Sequence, residues 1–555
     1  MPFTSLALLL LAPPQEPPLT SLLPREALAV LEVPDPGRTL DRLRRSAPWK
    51  AFEEGRLAAG LRKAPPYALV QAGWTSILRA SGAADLRDLV ESSLGGGLVA
   101  ALLPPAGGEE QPGAVLAFRS LSPEITQSAF EALLRLLPGE DPLLAGETWS
   151  LPLGERARAE RRGATFLIYA PPAAGAVLAT DAGASIAARA SWRAERRALG
   201  GRDAWMWLDR RLLEADGPIP EKPEDAGVSF LFGAAHEALR RAEHATLALD
   251  LDPATWSLEA RIPAPEDLAR SHAPWFPSVR EARLPAGPEI LGSWVIPRDL
   301  GTWWTSRDRW MNAAALADTV ETDGSFSLLF ARDFGPEVLH HLEPLTRVVF
   351  ARIPDPGGLE LEFPGLAVGW RMREDAPEDL AEGFATAFLA AVTFTKFDGG
   401  MAAEETLQMD SRTLADGTRL YLTSYRNRGG EDLLPARFQL TPALAVLPDG
   451  QIWLATNARL LQEMLEGPWV EEPVRGERLV LGVPAGLPIL EHDREALIAG
   501  RALKEGGDVE AAEAFVEEVE SALRLLQALV ARQELRGDRL EITLELHFTP
   551  AGDED

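Results

Sequence analysis

The chain has 555 residues, 46% hydrophobic and 25% charged, with 83 acidic against 55 basic side chains and a net charge of −28. That is the composition of a folded protein long enough for more than one core. Its acidity speaks against nucleic acid and anionic lipid surfaces, which ask for a basic stripe. The absence of cysteine excludes disulfides, thiolate ligands and a cysteine nucleophile.

In chain order, the apolar run Leu6–Ala12 comes first, followed by the proline-rich stretch Pro13–Pro18. The run is too short to span a bilayer and has the length of a signal-peptide core. Residues 1–18 therefore read as a signal-like segment and linker, which predicts a periplasmic or extracellular protein. No basic residue precedes the run and no small-x-small site follows it, so a cytoplasmic location is the alternative. No later uninterrupted apolar run approaches the length of a membrane helix, so the mature chain is expected to carry no transmembrane span.

The next feature is self-similarity. Leu23-Pro24 leads into the strand-like segment Ala27–Leu31, closed by Val33-Pro34-Asp35; Leu284-Pro285 leads into Ile290–Val295, closed by Ile296-Pro297. Each is followed by a helix-compatible stretch, with Trp49 in one and Trp310 in the other. Pro123-Glu124 opens a helix pattern through Phe130, Leu133 and Leu134, and Pro377-Glu378 opens another through Phe384, Phe388 and Leu389. Proline suits the first helical turn, and glutamate there complements the dipole. Leu178–Ala182 and Leu454–Ala458 each read as a strand passing into a helix. Arg241–Leu251 aligns without gaps on Arg536–Leu546, each a helix end followed by an alternating strand. After Leu251 the chain turns at Asp252-Pro253-Ala254 into Trp256, Leu258, Ala260 and Ile262, the pattern of a hairpin.

These matches occur in one order, so the chain reads as a duplication: a first α+β half over residues 19–265 and a larger second half over 280–550. Prolines Pro263, Pro265, Pro274, Pro277 and Pro285 mark the junction. The expected fold class is α+β, each half a mainly antiparallel sheet with helices packed on one face. A doubly wound parallel sheet would carry a glycine-rich turn opening a helix, and none occurs. The segments Leu23–Leu43 and Leu178–Ala182, with their echoes, resemble a family of exported bacterial proteins defined only as a domain of unknown function. The resemblance implies an extracytoplasmic location and a duplicated α+β architecture, and it carries no catalytic residues.

The search for chemistry nominates no catalytic residue, metal ligand or cofactor. Histidines occur at 236, 244, 272, 340, 341, 492 and 547, without metal-ligand spacing. His340-His341 reads as a partly exposed pair. Gly95-Gly96-Gly97 lacks the lysine and hydroxyl of a phosphate loop and reads as a turn before a Leu98–Leu103 strand. Asp318–Gly324 fails the calcium-loop pattern at its closing position and also reads as a turn. The acid-rich stretch from Glu491 to Glu520 runs into a helix carrying Phe515, Val519, Leu523, Leu526 and Val530. Tryptophan is the unusual element, with 15 against four tyrosines. Trp294, Trp303, Trp304 and Trp310 are candidates for lining an apolar or sugar site, against the alternative that they fill a core. The expectation is an exported non-enzymatic protein that binds a partner protein or an apolar ligand. A hydrolase built on dispersed carboxylates and a structural component of the cell envelope are the alternatives.

Overall fold

A computed structural model describes residues 18–55, 62, 65–105, 111–135, 148–153, 157–179, 182–215, 217–279, 281–353, 361–398, 405–427, 440–504 and 507–549. The signal-like run Leu6–Ala12 lies outside them. The contacts divide the chain into two units: Met1–Pro218 with Glu243–Pro253, and Ile219–Ala242 with Ala254–Asp555. Both mix helices with antiparallel sheet, and no described helix is long and apolar enough to cross a membrane.

The first unit contains β1 (Ala29–Val33), β2 (Leu98–Leu103), β3 (Gly113–Arg119), β4 (Thr148–Leu153), β5 (Ala157–Arg162), β6 (Thr165–Ala170), β7 (Ala204–Asp209) and β8 (His244–Asp252). All pairings are antiparallel, in the order β8-β7-β1-β2-β3-β6-β5-β4. The Val33-Pro34-Asp35 punctuation ends β1 because proline offers no ladder donor. Asp35 then caps the helix Pro36–Arg45, its Oδ1 accepting from Arg38 N at 2.9 Å. Gly97, at φ +99°, supplies the left-handed turn into β2. Strand alternation sorts the core: Leu167 and Tyr169 join Trp192, Trp205 and Trp207, whereas Ile168 packs on Phe130 and Leu134 of the helix Pro123–Arg135.

The second unit contains β9 (Thr255–Pro263), β10 (Glu281–Pro285), β11 (Ile290–Ile296), β12 (Thr346–Ala351), β13 (Gly365–Arg371), β14 (Glu405–Thr413), β15 (Arg419–Asn427), β16 (Ala443–Val446), β17 (Gln451–Ala455), β18 (Trp469–Pro473), β19 (Glu477–Gly482), β20 (Leu526–Arg536) and β21 (Arg539–Phe548). Strands β10 and β18 form a separate ribbon. The others form one antiparallel sheet ordered β9-β21-β20-β19-β11-β12-β13-β17-β16-β15-β14. Replace β1, β2 and β3 by β11, β12 and β13, then β4–β6 by β15–β17, and β7–β8 by β19–β20. The first order then becomes the central part of the second.

Four local readings differ from the structure. The hairpin expected across Asp252-Pro253-Ala254 is not formed: β8 pairs with β7, and β9 pairs with β21. The strand expected at Leu178 is absent: Leu178 follows the 3-10 turn Pro172–Val177, whereas Leu454-Ala455 closes β17 and Asn457 caps the helix Ala458–Glu466. The helix expected to run to Val530 stops at Leu525, and Leu526–Arg536 is β20. Leucines 523 and 526 and Val530 fit helical spacing, but pairing on both sides, with β19 and β21, decides for strand. In strand order β8 holds the place that β20 holds in the second sheet, whereas the gap-free alignment sets it against β21. Finally, Asp318–Gly324 lies inside the continuous helix Ala313–Phe330, capped by Asn312. A mid-helix glycine costs only about 1 kcal/mol relative to alanine, and packing outweighs it.

Candidate functional site: an apolar cavity beside a tryptophan cluster

The nominated tryptophans are set by short capped helices. Asp299 Oδ1 accepts from Thr302 N at 3.0 Å and starts the helix Leu300–Thr305, which carries Trp303 and Trp304. Trp310 ends the next short helix, Arg307–Trp310. Trp303, Trp304 and Trp310 are 6%, 8% and 7% exposed and pack with Trp275, Met311, Leu339 and Leu342. Trp304 Nε1 donates to Asp323 Oδ1 at 2.7 Å, and Arg307 Nη2 donates to Asp323 Oδ2 at 2.8 Å. One acid of the calcium-like segment thus serves as an anchor for this cluster. Trp294 stands apart, half-buried on β11, its indole donating to Glu477 Oε1 at 3.1 Å. The structure brings three of the four together, in a core.

The cavity adjoins that core. In β16 and β17 successive residues face opposite ways: Ala443, Ala445, Trp453 and Ala455 pack under the helix Ala458–Glu466, while Leu444, Val446 and Ile452 pack under the helix Leu380–Asp398. On the second face the helices Ala313–Phe330 and Leu380–Asp398 stand over the sheet with a space of about 480 Å³ between them. Phe326, Leu329 and Phe330 come from the first helix; Phe384, Ala387, Phe388, Ala391 and Val392 come from the second, at i, i+3, i+4, i+7 and i+8. Trp370, Pro442, Leu444, Ile452 and Leu454 form the floor, and Phe334, Leu339 and Leu342 close the side shared with the tryptophan cluster.

The wall is stiff and nearly without hydrogen-bonding capacity. Phe326 and Phe334 stack at 4.5 Å, and Phe330 meets Phe384 edge-on at 5.0 Å. The one indole N–H in the lining, that of Trp370, is bonded to Thr346 Oγ1 at 3.2 Å. Phe326 and Leu454, each 38% exposed, bring the lining to solvent. Such a space can hold hydrocarbon and offers nothing to polarise a bond. Of these residues, the sequence singles out Phe384 and Phe388, as part of a helix pattern, and Leu454, as part of a strand. The clearest further signal is the uninterrupted apolar run Ala387–Val392 within the helix Leu380–Asp398, unlike an ordinary surface helix.

Charged groups near the tryptophans are structural. Arg298, 1% exposed, donates from Nη2 to Glu477 Oε2 at 3.0 Å, with its guanidinium 5.4 Å from the Phe230 ring and 5.3 Å from the Trp275 ring. Burial pushes its pKa down to about 10, so it stays charged at neutral pH. Burial raises the Glu477 carboxyl, and Arg298 opposes that rise.

In the first unit, Asp203 and Asp250 both accept from Arg42 Nη1, at 2.7 and 2.5 Å, and Arg202 Nη1 adds a bond to Asp250 Oδ2 at 3.1 Å. Asp203 also takes the backbone N–H of Leu251 at 2.6 Å. These paired acids are clamped between guanidinium groups, an ion-pair network that ties the helix Pro36–Arg45 to β8. Among the described residues no three histidine, aspartate or glutamate side chains converge as a metal site. His340 and His341 are partly exposed, their ring centroids 6.3 Å apart.

Comparison of the chain with protein-family models, curated proteins and solved structures finds no match.

Proposed function

We propose that this protein is a non-enzymatic, exported binding protein that holds an apolar ligand in the cavity of its second unit. The observation that carries the reading is the lining: all sixteen residues around a space of about 480 Å³ are apolar. That volume lies in the range of about 300–1,000 Å³ typical of small-molecule sites. An unfilled apolar space leaves its walls without dispersion partners, and a hydrocarbon ligand supplies them. The signal-like run Leu6–Ala12 and the resemblance to exported proteins support the location.

The purified full chain tests the reading directly. Native mass spectrometry and organic extraction should reveal a co-purifying apolar molecule. Titration of the stripped protein with N-phenyl-1-naphthylamine, a neutral fluorophore, should saturate. Neither a bound molecule nor saturable fluorophore binding would be expected of a site with another purpose, and that result would end the proposal. Cell fractionation tests the location separately.

We also propose that the two units descend from one duplicated sheet. The matching strand orders and the paired helices Pro123–Arg135 and Leu380–Asp398, each following the third strand of its series, support it. Superposing β1–β8 on their second-unit counterparts tests it; strands that fail to overlay with those helices on a common face would remove it.

A further inference from the structure

A second cavity of the same unit also borders the tryptophan cluster, through Trp275 and Trp310, and differs in chemistry. It measures about 190 Å³ and is lined by Lys222, His236, Glu237, Arg240, His272 and Arg309, among others, against the indoles of Trp275 and Trp310. The local charge is opposite to that of the chain. The lining holds three cations, Lys222, Arg240 and Arg309, against two acids, Glu221 and Glu237, in a protein of net charge −28.

The acids are already engaged. Glu237 Oε2 takes a bond from Arg240 Nε at 2.8 Å, and Glu221 acts electrostatically on the same arginine. Lys222 and Arg309 are not neutralised in this way. The Lys222 ammonium donates to the backbone carbonyl of Asp308 at 2.8 Å, and the Arg309 guanidinium lies 5.2 Å from the Trp310 ring centroid. Among the described residues neither forms an ion pair.

The imidazoles add directed, uncharged groups. His272 is held between Trp275 and Trp310, at 5.3 and 5.0 Å between ring centroids, and shares a 3.1 Å contact from Nδ1 to Ser271 Oγ. Its Nε2 has no partner among the described residues, and neither ring nitrogen of His236 has one. Burial lowers both pKa values, so both rings are neutral at pH 7 and each offers one N–H donor and one lone pair. The rear wall is tightly fitted: a Cβ on Gly233 would stand 2.4 Å from Trp275 Cζ2, and Trp275 Nε1 is anchored to Phe230 O at 3.0 Å.

We propose that this cleft binds a small oxyanion, the phosphate or carboxylate group of a soluble molecule, on Lys222 and Arg309, with His236 and His272 as hydrogen-bond partners. An acceptor-rich anion supplies what these groups lack, and two uncompensated cations in an otherwise acidic chain focus attraction on this point. The site is independent of the apolar cavity.

The test uses full-length protein labelled at histidine and followed by NMR. Inorganic phosphate forms one arm, acetate the second, and chloride at matched ionic strength the control. Saturable movement of the His236 and His272 signals, with His340 and His341 unmoved, is the expected result; the arm that saturates identifies phosphate or carboxylate. The double variant Lys222→Gln/Arg309→Gln should weaken binding by at least about tenfold, with circular dichroism and melting unchanged. Signals that move alike in all three salts, or binding unaffected in the folded double variant, would overturn the proposal. Lys222→Arg, which keeps the charge, should retain binding if the variant loss is electrostatic.

Discussion

Ala387→Leu puts the apolar cavity to a test of sign. Ala387 is 5% exposed, lines the space of about 480 Å³ and sits within the helix Leu380–Asp398. Leucine and alanine differ little in helix propensity, so the outcome depends on packing. The change adds roughly three methylene-sized groups; at about 0.8 kcal/mol each they stabilise by about 2 kcal/mol if they enter vacant apolar space. In a filled core the same atoms would cost about 1–3 kcal/mol through off-rotamer side chains and backbone shifts. Denaturation with urea or heat, followed by tryptophan fluorescence, should therefore show a midpoint raised by a few degrees. The same variant should bind N-phenyl-1-naphthylamine at least about tenfold more weakly, since about 1.4 kcal/mol of lost contact suffices for that. A lowered midpoint together with unchanged fluorophore binding would refute the reasoning.

The buried pair gives the next prediction. Arg298→Met leaves the Glu477 carboxylate without its cation, at an expected cost of about 3–5 kcal/mol, whereas adding Glu477→Leu should recover much of that loss. Chemical denaturation of both singles and the double checks it, and strictly additive losses would mean the pair is uncoupled. His272 predicts a pH dependence. Its imidazole ordinarily titrates near 6.5, and burial holds it down to about 4 in the fold. Between those values the unfolded chain takes a proton the native ring refuses, so stability falls as pH drops from about 6.5 to about 4, by up to about 3 kcal/mol. Denaturant midpoints across that window should decline less in His272→Gln than in the parent protein.

How much was legible follows from the range of the interactions involved. Composition and local chemistry determined the α+β class, the strands read at Ala27–Leu31 and Ile290–Val295 and found at Ala29–Val33 and Ile290–Ile296, the proline that ends each, the helix entered through Pro123-Glu124, and the helical pattern of Phe384, Phe388 and Leu389, whose helix starts at Leu380 and not at Pro377-Glu378. These depend on propensities, caps and proline geometry confined to a few residues. Tertiary structure decided whatever depends on partners distant in sequence. Leu526–Arg536 became a strand because β19 and β21 flank it, although its leucines also fit a helix. Asp318–Gly324 became helix because the helix that contains it packs against the helix Leu380–Asp398 and the turn Phe334–Val338, and Asp323 is used by Trp304 and Arg307.

The sites divide along the same line. Tryptophan abundance pointed to Trp303, Trp304 and Trp310, which pack in a cluster that shares residues with the lining of each cavity, but neither cavity is visible as a motif. A space is defined by side chains from several elements, from Phe326 to Leu454 in one case and from Glu221 to Trp310 in the other. Likewise, charge counts establish an acidic chain, but only the folded arrangement determines which cations lack a counter-charge. Local patterning set the elements; the voids and unpaired charges arose when distant segments packed.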